Sequence, residues 1–400
     1  MTAKPAWISD RRWQVGFLFG SALGIAATIA GRRAERSALR GLIDWDEVER
    51  LALGRLDGLP GRLSGEELRA SEPAYRAAMT IVAPRLAAVL GTPLPGVVER
   101  ARVVDRADWI RANIRTFRAV VSRIEGPLLE QMLRSGGGLG ASTMIIANRW
   151  ATNRQFGFLL GFMSSRVLGQ YDIAFLAAES EDGQLLFVEE NIRSTARALG
   201  VPVGPFRTWI ALHETTHAFE FEGHPWLRPY LAERLERQLT LFSGSAESAG
   251  RDVVSALARA LRGDSNGEHW MERLMSDEQR SLFRETQAAM SLLEGFSDYV
   301  MDAVGRDLVP GIERISARFH ERRRERTGFE RLILRLTGMD LKLEQYKRGE
   351  AFVRAIVDAR GRSALDRIWS SPSTLPTFDE IAAPERWMTR VLDGGAGVES

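Results

Sequence analysis

The 400-residue chain is 44% hydrophobic, enough to bury a sizeable core in one enlarged domain or two, and its composition is not that of a disordered polypeptide. Lys and Arg number 54 against 52 Asp and Glu, a formal charge of +2 that calls for no nucleic-acid partner. The absence of cysteine excludes disulfides, thiolate metal sites and a cysteine nucleophile, and leaves the cellular compartment open.

The N-terminus carries the longest apolar run. Val15 to Gly31 is uncharged, with Trp7 and Trp13 before it, Gly16, Gly20 and Gly24 at four-residue spacing, and Arg32, Arg33, Arg36 and Arg40 after it. As a helix it is about 25 Å long, against a hydrocarbon core of about 30 Å, and interfacial tryptophan with snorkelling arginine would close that gap. Glycine at this spacing also suits close helix contacts in a membrane. A helix buried against the rest of the chain is a second reading; a cleaved signal peptide is a third, disfavoured by Arg32-Arg33 directly after the run. The expectation is that residues 1–41 form a membrane anchor through 15–31, with the remainder on the cytoplasmic side; the alternative is a soluble cytoplasmic protein.

From residue 42 onward the pattern is mainly helical. Ser64-x-x-Glu67 and Thr327-x-x-Glu330 are candidate capping boxes. In Ala107 to Ile124, residues Ile110, Ile114, Phe117, Val121 and Ile124 share one face. Ser135 to Gly140 follows no strand, so its glycines read as a loop rather than a phosphate cradle. Phe156 to Phe162 is apolar but too short to span a membrane. The strong β signal is a hairpin, Tyr171 to Ala178 and Gln184 to Glu189, joined through Glu181-Asp182-Gly183. It is either a substrate-binding edge or a small structural sheet.

The next segment contains His213-Glu214-Thr215-Thr216-His217. On a helix spanning about 205–222 the two imidazoles lie one turn apart on one face, so both can reach one metal ion while Glu214 approaches a water on it. Phe206, Trp209, Ile210, Leu212 and Phe219 give that helix its apolar side, and Gly223 before Pro225 ends it. Two buried, hydrogen-bonded core histidines are the plainer alternative. A catalytic zinc needs a third protein ligand. His224 lies one residue too far along for the metzincin pattern, and Glu220 stands where that pattern has glycine. Leu292 to Asp302 is a better source. Its apolar residues fit a helix packed on one side (285–305), and Glu294 and Asp298 sit one turn apart on it. Residues 306–390 add further helices, with Phe352, Val353, Ile356 and Val357 on one face, and 393–400 read as a flexible tail.

The pairing of His-Glu-x-x-His with a later Glu-x-x-x-Asp resembles the gluzincin arrangement. With Ile43 to Asp46, Arg166 to Asp172, Phe187 to Ile192, Trp209 to His217, Phe221 to Arg228 and Leu293 to Gly305 in this order, the chain is similar, over roughly 42–390, to a poorly characterised zincin-like metallopeptidase family of actinobacteria and chloroflexi. The segment between His217 and Glu294 is far longer than in the best-known gluzincins. The resemblance implies a mainly α protein with a small β-hairpin or sheet (α+β), a zincin-like catalytic domain over 42–392 with additional helices, and zinc as cofactor. It further implies His213, His217 and Glu294 as zinc ligands, Asp298 as the carboxylate that orients the ring of His213, and Glu214 as the general base that acts on a peptide or protein substrate. A non-catalytic zinc-stabilised scaffold, or a zinc hydrolase of a non-peptide amide or ester, is the alternative. Tyr171, His224, His269, Tyr299 and His320 can each donate a hydrogen bond to an oxyanion, and the sequence places none of them.

Overall fold

The computed structural model describes residues 41, 43–135, 139–171, 183–238, 240–241, 275–324 and 339–394. Its contacts divide the chain into two compact units, residues 1–58 with 121–163 and residues 59–120 with 164–400.

In the first unit, α1 (Trp45–Gly54) begins at Asp44, whose carboxylate accepts from the Glu47 N–H at 3.1 Å. The Asp44 N–H donates to Asn153 Oδ1, Asn153 Nδ2 donates to Glu47, and Arg149 pairs with Asp44, so the Ile43 to Asp46 motif is a start signal for a helix. The partner element is the later helix Leu139–Ser164. The apolar stretch Phe156 to Phe162 belongs to it, and Gly157 is there because a Cβ would lie 2.6 Å from Leu51 Cβ. Trp45 packs edge-on against Phe156 at 5.8 Å.

The second unit holds the histidine motif. It opens with α2 (Gly65–Leu90), begun by the expected Ser64/Glu67 capping box, followed by β1 (Ala101–Val104) and the start of α3 (Arg106–Ser135). The other helix of the first unit, Leu139–Ser164, is α4. After it come β2 (Gly169–Tyr171), β3 (Leu185–Val188), α5 (Glu189–Leu199), α6 (Val203–Gly223) and a helix over 227–238, α7. The long α8 (Asp277–Leu308), α9 (Ile312–Arg324), α10 (Met339–Arg360) and the short helices α11 (Phe378–Ala382) and α12 (Pro384–Trp387) complete it. The architecture is mainly helical with one three-stranded sheet among the described residues.

That sheet has the order β1-β3-β2. β3 runs parallel to β1 and antiparallel to β2, with Tyr171 opposite Leu185 and Gly169 opposite Phe187. Of the expected hairpin, Tyr171 pairs antiparallel with Leu185 in a strand that begins two residues earlier than expected, and the rest of its first strand and its turn, residues 172–182, lie outside the described residues. β3 is buried along its whole length, as befits a central strand. Glu189, expected to close the strand, instead opens α5. Its carboxylate accepts from Tyr75 Oη at 2.7 Å and pairs with Arg193 and Arg207, while Glu190 accepts from the Leu63 and Arg106 N–H groups. Two carboxylates at a helix N-terminus also match the positive end of its dipole.

Within this unit the buried apolar side chains of α2, β3, α6, α8 and α10, among them Met79, Phe187, Phe206, Leu292 and Phe352, form one core. α6 lies inside it and buries residues all around its circumference, so its sequence shows no polar face. Thr215 and Thr216, buried on this helix, satisfy their hydroxyls on the carbonyls of Ala211 and Leu212 at 2.6 and 2.9 Å. No helix among the described residues is long and apolar enough to cross a membrane; the expected anchor at 15–31 lies outside them.

Candidate metal centre

α6 spans the expected 205–222 with a margin of one or two residues, and ends at Gly223 with His224 as its cap. It presents His213 and His217 one turn apart, Nε2 to Nε2 at 3.3 Å with ring centroids 4.7 Å apart. α8 starts from a Ser276/Gln279 capping box and carries Glu294 across from them. Glu294 Oε2 is 3.7 Å from His213 Nε2 and 3.9 Å from His217 Nε2. Bonds of about 2.0–2.1 Å from one tetrahedral ion put its ligand atoms about 3.3 Å apart, so the three atoms already approximate one face of a zinc tetrahedron. They form the group able to hold a metal ion among the described residues, and their side chains keep 21%, 14% and 19% of their exposure. Two neutral nitrogens and one carboxylate are the donor set of a hydrolytic zinc, and the residues fit that ion.

Glu214 stands beside this triangle and is buried, 6% exposed. β2 holds it there: Glu214 Oε2 accepts from the Tyr171 N–H at 3.0 Å, and Gly169 gives the carboxylate its space, since a Cβ would stand 2.5 Å from Glu214 Cγ. Burial, with the neighbouring charge of Glu294 adding to it, pushes the Glu214 carboxyl up to about 7, against the opposing pull of His217 and the Tyr171 N–H. A carboxyl poised there can both take and return a proton near neutral pH.

Sequence reasoning missed Glu220. It is buried, and its Oε2 lies 2.7 Å from His217 Nδ1. Burial works against the charged form of His217, yet Glu220, Glu294 and Glu214 together raise it to about 10; burial likewise raises the Glu220 carboxyl to about 7, partly opposed by His217. A glutamate among Ala218, Phe219 and Phe221, three residues after a ligand, was the available signal. At His213 Nδ1 stand Ser297 Oγ at 3.1 Å and Met301 Sδ at 3.2 Å, both from α8. Asp298 follows Ser297 on that helix and is half-buried.

The remaining candidates are distributed around this centre. His224 points its Nδ1 at the carbonyl of Glu220 at 2.9 Å and stacks on Trp369, so it is not part of the ligand group. Tyr171 Oη donates to Glu222 at 2.9 Å and accepts from Arg228, while Glu222 is held by Arg100. Tyr299 is half-buried on α8; His269 and the side chain of His320 lie outside the described residues.

The family model described as zincin-like metallopeptidase matches residues 43–388. Among solved structures, the chain is similar to "a putative hydrolase with a novel fold" from Chloroflexus aurantiacus. That match has 36% identity and a TM-score of 0.64, and covers 87% of this chain and 98% of the other. No curated protein matches the chain. The match over most of the sequence, with the histidine helix and the second carboxylate helix inside it, places this chain in the zincin-like metallopeptidase family.

Proposed function

We propose that the protein is a zinc-dependent hydrolase that cleaves peptide bonds, with His213, His217 and Glu294 as metal ligands and Glu214 as general base. The observation that carries this reading is the triangle of ligand atoms at 3.3–3.9 Å with a buried glutamate beside it. Zinc bound there would supply two things, a lowered pKa for its water, from about 15.7 towards 7, and polarisation of the scissile carbonyl. The chain's own residues do the rest. The Glu214 carboxylate takes the proton of the attacking water and returns it to the leaving amine, and the Tyr171 N–H keeps that carboxylate in place between the two transfers. In an antiparallel pair only alternate residues face the partner strand. On β2, Tyr171 and Gly169 accordingly turn their main-chain groups away from β3 and towards Glu214, which takes up the Tyr171 N–H, so this side of β2 serves to hold the base.

The intact base favours an enzyme over a zinc-stabilised scaffold, since structural zinc has no use for Glu214. The test is Glu214→Gln, which keeps shape and hydrogen bonding and removes basicity. The variant is expected to retain zinc and fold while losing at least about a hundredfold in hydrolytic rate on a peptide found by screening the wild type against a library. A zinc-loaded wild type that cleaves no peptide in the library but does hydrolyse amides or esters would move the substrate class; one that hydrolyses nothing would favour the scaffold. A variant as fast as the wild type would remove Glu214 from the mechanism.

A further inference from the structure

We propose that Glu220 is a positioning residue for the metal: it fixes the ring and the tautomer of His217 and makes its Nε2 a stronger ligand, so that part of the metal affinity is built into α6 itself. The inference rests on the reading of His213, His217 and Glu294 as the metal ligands.

Glu220 lies three residues after His217 on the same helix, the spacing at which side chains meet. Its Oε2 is 2.7 Å from His217 Nδ1, a short charge-assisted contact. With Nδ1–H donating to the carboxylate, the lone pair of the neutral ring is on Nε2, the atom turned towards His213 Nε2 and Glu294 Oε2. A carboxylate behind a metal-bound imidazole raises its basicity and holds its plane.

The energetics favour this role over a general structural one. Glu220 is 1% exposed between the core residues Phe219 and Phe221, and its second oxygen, Oε1, has no hydrogen-bond partner among the described residues. Burying a carboxylate with one oxygen unsatisfied costs several kcal/mol that an alanine or leucine at this position would not incur. Among the described residues, the one side chain it hydrogen-bonds is that of His217, so the return on that cost is made at the histidine. The two imidazoles are thereby held from different helices: His217 by Glu220 of its own α6, and His213 by Ser297 and Met301 of α8.

The test compares Glu220→Gln and Glu220→Ala with the wild type, measuring zinc affinity by chelator competition and the visible spectrum of the cobalt-substituted protein. Glutamine keeps an acceptor for Nδ1–H without the charge, so it is expected to weaken zinc about tenfold, and alanine about a hundredfold. The metal-free variants should melt below the wild type, because His217 loses its buried partner, so their fold is verified by circular dichroism before zinc is added. A shifted cobalt spectrum in Glu220→Gln would report an altered ligand field, which a purely structural residue would leave unmoved. Zinc affinity and cobalt spectrum unchanged in both variants would overturn the proposal while leaving the three ligands in place. A wild type whose zinc affinity is unaffected by His217→Ala would overturn the ligand assignment, and this proposal with it.

Discussion

At the scale of single residues, the centre gathers three carboxylates, Glu214, Glu220 and Glu294, around two histidines, and protons and metal compete for the same charge. In the metal-free protein His217, raised to about 10, keeps its proton through the neutral range, and a metal must expel it to bind. The sign follows directly. Apparent zinc affinity should rise by about tenfold per pH unit from pH 6 towards 9, with about one proton released by His217 for each zinc bound, measurable by calorimetry in buffers of different ionisation enthalpy. Affinity that falls or stays flat with rising pH would contradict the assignment of His217 as a ligand. Gly169 supplies a second prediction at this scale. A methyl group there meets Glu214 at 2.5 Å, so Gly169→Ala should keep zinc content near the wild type while hydrolysis drops at least about tenfold. Zinc loss in that variant would show that β2 supports the metal site as a whole rather than the base.

Among the elements, the crossing of α8 and α10 matters most for Glu294, the proposed third ligand. Gly295, next to Glu294, and Gly349 face each other so closely that a Cβ on Gly295 would run into the Gly349 backbone, and one on Gly349 into the carbonyl of Ser291. Only glycine permits this approach, which sets the separation of α8 and α10 directly beside Glu294. Gly349→Ala should therefore cost about 3 kcal/mol of stability, read from urea unfolding of the metal-free protein, because backbone rather than a flexible side chain must yield. A change below about 0.5 kcal/mol would show that the two helices separate freely. The elements also show what a sequence does and does not reveal. The histidine helix was legible from a motif and a glycine stop, whereas of the expected hairpin only Tyr171 falls in β2, whose residues 169–170 lie before the apolar run. β1 was not, because Ala101-Arg102-Val103-Val104 is too short to show a period and its parallel partner lies far along the chain. The Glu294 helix was legible around the ligand, but its first two turns, begun by Ser276 and Gln279, extend beyond the expected 285. Glu220 and Ser297 were invisible as functional residues because a contact to a ring nitrogen depends on side-chain direction, which spacing alone leaves open.

On the scale of the whole molecule, the motifs shared with the family divide into two roles. Arg166 to Asp172, Trp209 to His217, Phe221 to Arg228 and Leu293 to Gly305 supply groups in or around the metal centre, whereas Ile43 to Asp46 and Phe187 to Ile192 make helix starts and buried ion pairs. The tether read from residues 15–31 stands on the sequence alone. Membrane fractionation tests it: full-length protein should sediment with membranes, and recovery wholly in the soluble fraction would sink it. The most direct measurement of the central claim is metal content. Elemental analysis should find one zinc per wild-type chain and, after mild chelation, much less in His213→Ala, His217→Ala and Glu294→Ala than in the wild type under the same treatment. Full zinc retention in Glu294→Ala would remove α8 from the site, and a wild type that takes up no zinc would contradict the account at its root.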